Sequence, residues 1–261
     1  MFRPAPKISV CLPIYNTPPG RLRLCIESVL NQTFGDFEFL ILNDSPENKE
    51  LDSIVRSYRD KRIIYRKNKK NLGISDARNK LLDMSRGEYI AVCDHDDVSF
   101  PERFAKEVDF LDNNPNYGVV SSDYIENENW DVVYTHLGYE NIDIKNNNHL
   151  WSCTHHSAAM IRKSILDEFG CRYERRYSPT EDWHLFMQLI EFTMFKTLDE
   201  VLVSYYVGTD NTSKRHIERV AVVCDELRWQ FRNKYPFKAL EQNLAVLRDK
   251  IDALEKKIDL L

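Results

Sequence analysis

The stretch GEYIAVCDHDD, residues 87–97, decides how the chain reads. Gly87 stops a helical pattern, Tyr89–Cys93 is an apolar run of strand length, and the run ends in Asp94, Asp96 and Asp97. A short strand with no polar face is one covered on both sides, as in a parallel sheet flanked by helices. In such sheets ligands bind beyond the carboxyl ends of the strands. The acidic cluster stands at that place.

Upstream the same unit repeats. Ile8–Leu12 reads as a buried strand ended by Pro13, followed by helical spacing at Leu22, Ile26, Val29 and Leu30. Phe37–Leu42 is a second strand, with Leu51, Ile54, Val55 and Tyr58 marking its helix. Ile63–Tyr65 is a third, leading through the polar run RKNKKN to a helix carrying Ala77, Leu81 and Leu82. Repeated βα units predict an α/β fold with a mostly parallel sheet. Beyond Gly118 the pattern loosens, with strands near 118–122, 131–135 and 197–206 and helices near 163–169 and 181–193. The expected organisation is one α/β domain over 1–214, its regular half ending near 123. A helical extension over 215–261 follows.

Hydrophobic residues at 43% supply a sizeable core, and 36 basic against 41 acidic residues, net −5, argue against a nucleic-acid binder. The six cysteines form no CxxC pair and lie mostly in apolar runs, which predicts reduced thiols rather than disulfides or structural zinc. The N-terminal MFRPAPKISVCLP lacks a signal-peptide core and no apolar run reaches membrane-spanning length, so the expected compartment is the cytoplasm.

Three strands deliver polar groups to one rim: Pro13, Ile14, Tyr15 and Asn16 after the first, Asn43, Asp44 and Ser45 after the second, and Asp94–Asp97 after the fourth. Three carboxylates within four residues repel one another unless a cation or their surroundings compensate. Magnesium or manganese suits hard oxygen ligands and is typically held by one or two carboxylates plus substrate phosphates. The competing reading is a solvated turn in which Asp97 caps the helix beginning near Pro101.

ISVCLPIYN, ESVLNQTF, FEFLILNDS, NLGISDARN, GEYIAVCDHDD and TEDWHL follow one another in the order and approximate spacing of the family 2 glycosyltransferases of the GT-A fold. The chain resembles that family over about residues 7–213, which implies a catalytic domain over 1–214 with a nucleotide-binding half over about 1–123 and an acceptor half over about 124–214. The resemblance implies a GT-A-type mixed, mostly parallel sheet and an inverting hexosyltransferase that uses a nucleotide diphosphate sugar, with UDP as the expected donor nucleotide. It implies that Pro13, Tyr15 and Asn16 cradle the base and that Asp44 accepts its ring N–H, Asn43 standing where relatives usually carry a second Asp. Arg78 matches an arginine near the nucleotide, or forms a salt bridge to Asp94. By resemblance, Asp94 and Asp96 form the DxD motif, with Asp96 the closer metal ligand, Asp94 on the ribose or a metal-bound water, and Asp97 on the donor sugar. His95 fills the variable position and reads as a bystander.

Transfer also needs a carboxylate, separate from the metal cluster, to take the acceptor hydroxyl's proton. Glu181-Asp182 matches the family's ED motif, with Asp182 as general base; without the resemblance the pair reads as first-turn acids favoured by the helix dipole. His155 and His156 fall on the expected acceptor wall, as acceptor contacts or as packing. The chain departs from the family in YYVGTDNTS, residues 205–213. Tyr206 stands at a usual arginine and Gly208 at a usual histidine, with His216 a distant substitute. The expected acceptor is a glycan or lipid-linked saccharide of bacterial surface polysaccharide synthesis.

Leu240, Leu244, Leu247, Ile251, Leu254, Ile258 and Leu261 form a heptad seam, predicting a short coiled coil from about residue 237 that joins a homodimer. Upstream, RWQFRNKYPFK interleaves cations with aromatics, either packing inward or touching a membrane surface peripherally. Two other functions fit parts of the sequence. DHDDV satisfies the nucleophile motif of haloacid-dehalogenase-like phosphatases, with Asp94 attacking a phosphate. A non-catalytic sugar-nucleotide-binding scaffold accommodates Gly208 and the coiled coil.

Overall fold

The first strand shows why the sheet is covered on both sides. Along β1 (Ile8–Ile14) every residue is buried, and alternate side chains feed different cores. This is seen in a computed structural model that describes residues 4–128, 131–135, 152, 154–208 and 212–234. The order continues with α1 (Pro19–Leu30), β2 (Phe37–Asn43), α2 (Lys49–Ser57), β3 (Ile63–Lys67), α3 (Ile74–Met84), β4 (Tyr89–Val92) and β5 (Val98–Ser99). Next come α4 (Arg103–Asn113), β6 (Tyr117–Glu128), β7 (Asp131–Thr135), β8 (Met160–Arg162) and α5 (Lys163–Glu168). The last described elements are α6 (Glu181–Leu189), β9 (Met194–Tyr206), α7 (Thr212–Arg215) and α8 (Ile217–Lys234).

Ile8, Val10, Leu12 and Ile14 pack with Leu22, Ile26 and Val29 of α1, with Leu51, Ile54 and Val55 of α2, and with Phe104 and Val108 of α4. Cys11 turns to the second core, with Leu81 and Leu82 of α3 and Leu185, Phe186 and Leu189 of α6. Each fully buried Leu or Ile in these layers contributes about 1.5–3 kcal/mol. A third cluster docks Val223, Leu227 and Phe231 of α8 against Tyr177, Trp183 and Met187. Local signals agree with the packing. Pro19 opens α1, where its missing N–H costs nothing, and the Asn48 side chain caps α2 by accepting from Glu50 N and Leu51 N.

Among the described residues nine strands join one sheet in the order β3-β2-β1-β4-β8-β6-β9-β5, with β7 paired on β6. The first four are mutually parallel, and β8 enters antiparallel between β4 and β6. The mixed, mostly parallel α/β sheet expected from the sequence is therefore present. Its strand order reverses between β1 and β4, which leaves a crevice beyond their carboxyl ends.

β1 runs two residues further than expected, through Pro13 to Ile14. In a parallel ladder the N–H and C=O of one residue point to the same neighbour. Cys11 O accepts Cys93 N on the β4 side, so Pro13 also faces that side, where β4 has already ended. Its missing N–H breaks no ladder bond, and its carbonyl faces the crevice. The sequence reading had no β5 and no β8, and it ran α6 to 193 rather than 189.

In RWQFRNKYPFK the described part divides: Phe231 is buried and Trp229 is exposed. The heptad seam from Leu240 to Leu261 lies outside the described residues, as do Tyr235, Phe237 and Lys238. Cys11, Cys25, Cys93, Cys171 and Cys224 are free thiols. No described helix is long and apolar enough to cross a membrane.

Candidate active site

A cleft of about 690 Å³ opens at the crevice. Pro13, Tyr15, Asn16 and Asp44 line it from β1 and β2, Arg78 from α3, Asp94 and Asp96 from the β4 exit, and Glu181 and Asp182 from the start of α6. Residues more than a hundred positions apart are thus brought to one wall.

Arg78 ties that wall together. It is 9% exposed, and its guanidinium donates to Asp94 Oδ1 at 2.7 Å and to Glu181 Oε1 at 2.8 Å. The salt bridge to Asp94 considered from the sequence is present, and it extends to the ED pair. Burial would raise the Asp94 carboxyl, but Arg78 outweighs it and holds the group down at about 2.

Asp96 differs from Asp94. Among the described residues its carboxylate accepts no side-chain hydrogen bond, and the His95 Nδ1 lies 3.7 Å away. Burial and the Asp94 charge push its carboxyl up, opposed by His95 and Arg21. A carboxylate beside a second one, without a hydrogen-bonded cation, fits a divalent metal made of hard-ligand contacts. Among the described residues no three His, Cys, Asp or Glu side chains form a cage of their own. A metal here would be held by Asp96 and Asp94 and completed by donor phosphates.

Two of the expected site residues are held by the protein's own groups. Asp97 does not line the cleft. It is 5% exposed, Oδ1 accepts Tyr206 N at 2.9 Å, and Oδ2 accepts the Ser157 hydroxyl. Burial and the neighbouring Asp96 and Asp94 raise its carboxyl well above the usual range. It clips the β4 exit to the end of β9. Asp44 lines the cleft, yet its carboxylate accepts from Leu72 N, Gly73 N and the side chains of Asn68 and Asn71. A carboxylate offers about four acceptor positions, so its own chain occupies them. Asp44 anchors the loop that starts α3, where Gly73 takes a φ of 83° that favours glycine. No acceptor is left for a base N–H while those bonds hold.

The ED pair divides its work. Glu181 is 3% exposed and bound to Arg78, while Asp182 reaches the cleft and accepts its own chain's Trp183 N at 2.8 Å. Burial and the Glu181 charge push Asp182 up to about 6. Tyr15 is 53% exposed at the cleft, and Asn16, at φ 46°, donates its N–H to Ser45 Oγ. On the remaining wall His155 stacks on Tyr124 at 3.9 Å and bonds Ser157 Oγ, burial holding its imidazole down to about 4. His156 is buried against Tyr173, with Nε2 to Tyr173 Oη at 2.8 Å.

Sequence reading missed Arg103. It is 1% exposed at the start of α4 and donates to Val92 O, Ala159 O, Ser99 Oγ and Glu107 Oε1. It fixes the backbone just before Asp94 to the segment just after Ser157. In PERFAKEV it reads as an ordinary helix-surface cation, and nothing local marks it as buried. Arg21, also unassigned from sequence, lines the cleft from α1.

Residues 9–170 match the family described as Glycosyl transferase family 2. An uncharacterized glycosyltransferase of Methanocaldococcus jannaschii is 31% identical over 239 residues, covering 89% of this chain and 82% of that protein. An amylovoran biosynthesis glycosyltransferase of Erwinia amylovora is 26% identical over 211 residues, 79% of each chain. Among solved structures, the crystal structure of Staphylococcus aureus TarS 1–349 with UDP-GlcNAc superposes with a TM-score of 0.69 at 18% identity. The match covers 88% of this chain and 72% of that one.

Proposed function

The chain belongs to glycosyl transferase family 2, and from that premise we propose that it is an inverting, metal-assisted transferase of a sugar from a nucleotide diphosphate donor, with UDP the first candidate. The observation that carries the reading is the Arg78 bridge. One guanidinium joins the DxD carboxylate Asp94 to Glu181, and so fixes Asp182 on the wall that holds the metal-binding carboxylates.

In this reading the base lies at Tyr15 and the Pro13 carbonyl, over the loop that Asp44 anchors. Asp96 and Asp94 would hold manganese or magnesium together with the donor diphosphate. When bound, the metal offsets the negative charge that the leaving diphosphate gains. Asp182 takes the proton of the acceptor hydroxyl as that oxygen attacks the anomeric carbon. With its carboxyl near 6 the group is ionised at neutral pH and still basic enough to accept a proton. Glu181, held by Arg78, positions the start of α6 and is no second nucleophile. A single displacement then inverts the anomeric centre.

The acceptor fits a hydroxyl of a glycan or lipid-linked saccharide, supported by the amylovoran relative's name. Homodimerisation through Leu240–Leu261 and peripheral membrane contact in the cytoplasm belong to the same proposal and rest on sequence alone. The test is a panel of nucleotide sugars with manganese, magnesium or chelator, reading free nucleotide. Metal-dependent release from one donor, lost in Asp96→Ala, is expected. Nucleotide binding with no turnover of any donor, across a range of glycan acceptors, would instead establish the binding-scaffold reading.

A further inference from the structure

The departure at Tyr206 and Gly208 has a local cause. Tyr206 ends β9 with its N–H on Asp97, and its ring folds back over residue 208. A Cβ at Gly208 would lie 2.2 Å from Tyr206 Oη and 2.4 Å from its Cζ, so only glycine admits the ring there. On that ring lies the guanidinium of Arg21, from the first turn of α1.

Arg21 is partly buried and lines the cleft. Among the described residues its guanidinium makes no hydrogen bond and no ion pair; its contact is the aromatic face. That arrangement is selective. Stacking occupies the flat face of a guanidinium and leaves the in-plane N–H groups without acceptors. Those groups form a planar fork that matches two phosphate oxygens. The protein has immobilised a cation at the cleft and left its hydrogen-bonding edge for a ligand. Asp96 lies within reach of the same charge.

We propose that Arg21, seated on Tyr206 through the space left at Gly208, is a ligand of the donor diphosphate. The assignment rests on the transferase reading above, and adds a phosphate contact from α1 that is independent of the metal. Arg78, by contrast, has its charge satisfied by Asp94 and Glu181.

The test titrates the full chain with UDP and GDP by calorimetry, in manganese and in chelator, and with uridine and guanosine by ligand-observed NMR. Arg21→Ala is expected to weaken the diphosphate by about 10–100-fold in either condition, the worth of a charged hydrogen-bonded pair, while the nucleoside binds as before. Arg21→Lys keeps the charge without the fork and should fall between. Gly208→Ala, which displaces the ring, should reproduce most of the Arg21→Ala loss. Unchanged diphosphate affinity in Arg21→Ala and Arg21→Lys, beside a wild type that binds UDP or GDP, overturns the assignment and leaves the transferase reading standing. Equal losses for diphosphate and nucleoside also overturn it, since Arg21 then only supports the fold. A wild type that binds neither diphosphate overturns the assignment, and the donor panel above then decides the transferase reading separately.

Discussion

Arg78 and Arg103 are both buried, and both grip the end of β4, yet they hold different things. Arg103 ends on the carbonyls of Val92 and Ala159, the Ser99 hydroxyl and Glu107, with no cleft surface of its own. Arg78 ends on two carboxylates that line the cleft. A guanidinium that satisfies backbone fixes geometry, and removing it should be felt as stability. One that satisfies carboxylates at the cleft fixes their charge and aim, and removing it should be felt as turnover.

The widest separation between the two regions is expected from Asp182→Asn. If Asp182 takes the acceptor proton as proposed, its loss should lower kcat by about 10²–10⁴-fold, with nucleotide affinity and the melting temperature close to wild type. Retained turnover would show that the ED pair merely serves its helix. On the other side, Arg103→Met leaves Glu107 without its partner and should cost about 3–5 kcal/mol in a denaturant titration. A small loss there, with a large loss of turnover in the folded protein, would break the distinction.

Glu107 sharpens it further. Burial, outweighing Arg103, raises its carboxyl to about 7 from an ordinary value near 4.5. A group raised in the folded state stabilises most when protonated. Its contribution, of the order of a few kcal/mol, is full below about 4.5 and is lost as pH rises through 7. Glu107→Gln should flatten stability over that window without changing turnover. The smallest effect is the pH profile of kcat. It should rise up to tenfold per unit below about 6 and level above, following Asp182. A wild-type profile flat from 5 to 8 would detach Asp182 from proton transfer.

The parts of the fold that could be read from sequence were those in which a run is long enough to show a period. β1, β2 and β4 are continuous apolar runs, and α1 to α3 carry clear helical stripes. β5 has two residues and β8 three, too few for any pattern; they exist because longer neighbours pair with them. The site divides similarly. That Asp94, Asp96 and Asp182 share one cleft was legible because strand ends and a motif announce them. The anchoring of Asp97 was not legible because its partners, Ser157 and Tyr206, lie 60 and 109 residues away. The saturation of Asp44 was not legible because it depends on how a distant loop folds around the carboxylate.

The saturation of Asp44 also decides how inactive variants at this position can be interpreted. Leu72, Gly73 and the two asparagines lose their common acceptor whenever Asp44 is replaced. An Asp44→Ala enzyme that fails to turn over would be reporting a collapsed loop at the mouth of α3, whatever the nucleotide does. In a genetic screen the position would score as essential alongside Asp96 and Asp182. Only a binding measurement on a variant whose loop is held another way would tell the architect from the reader.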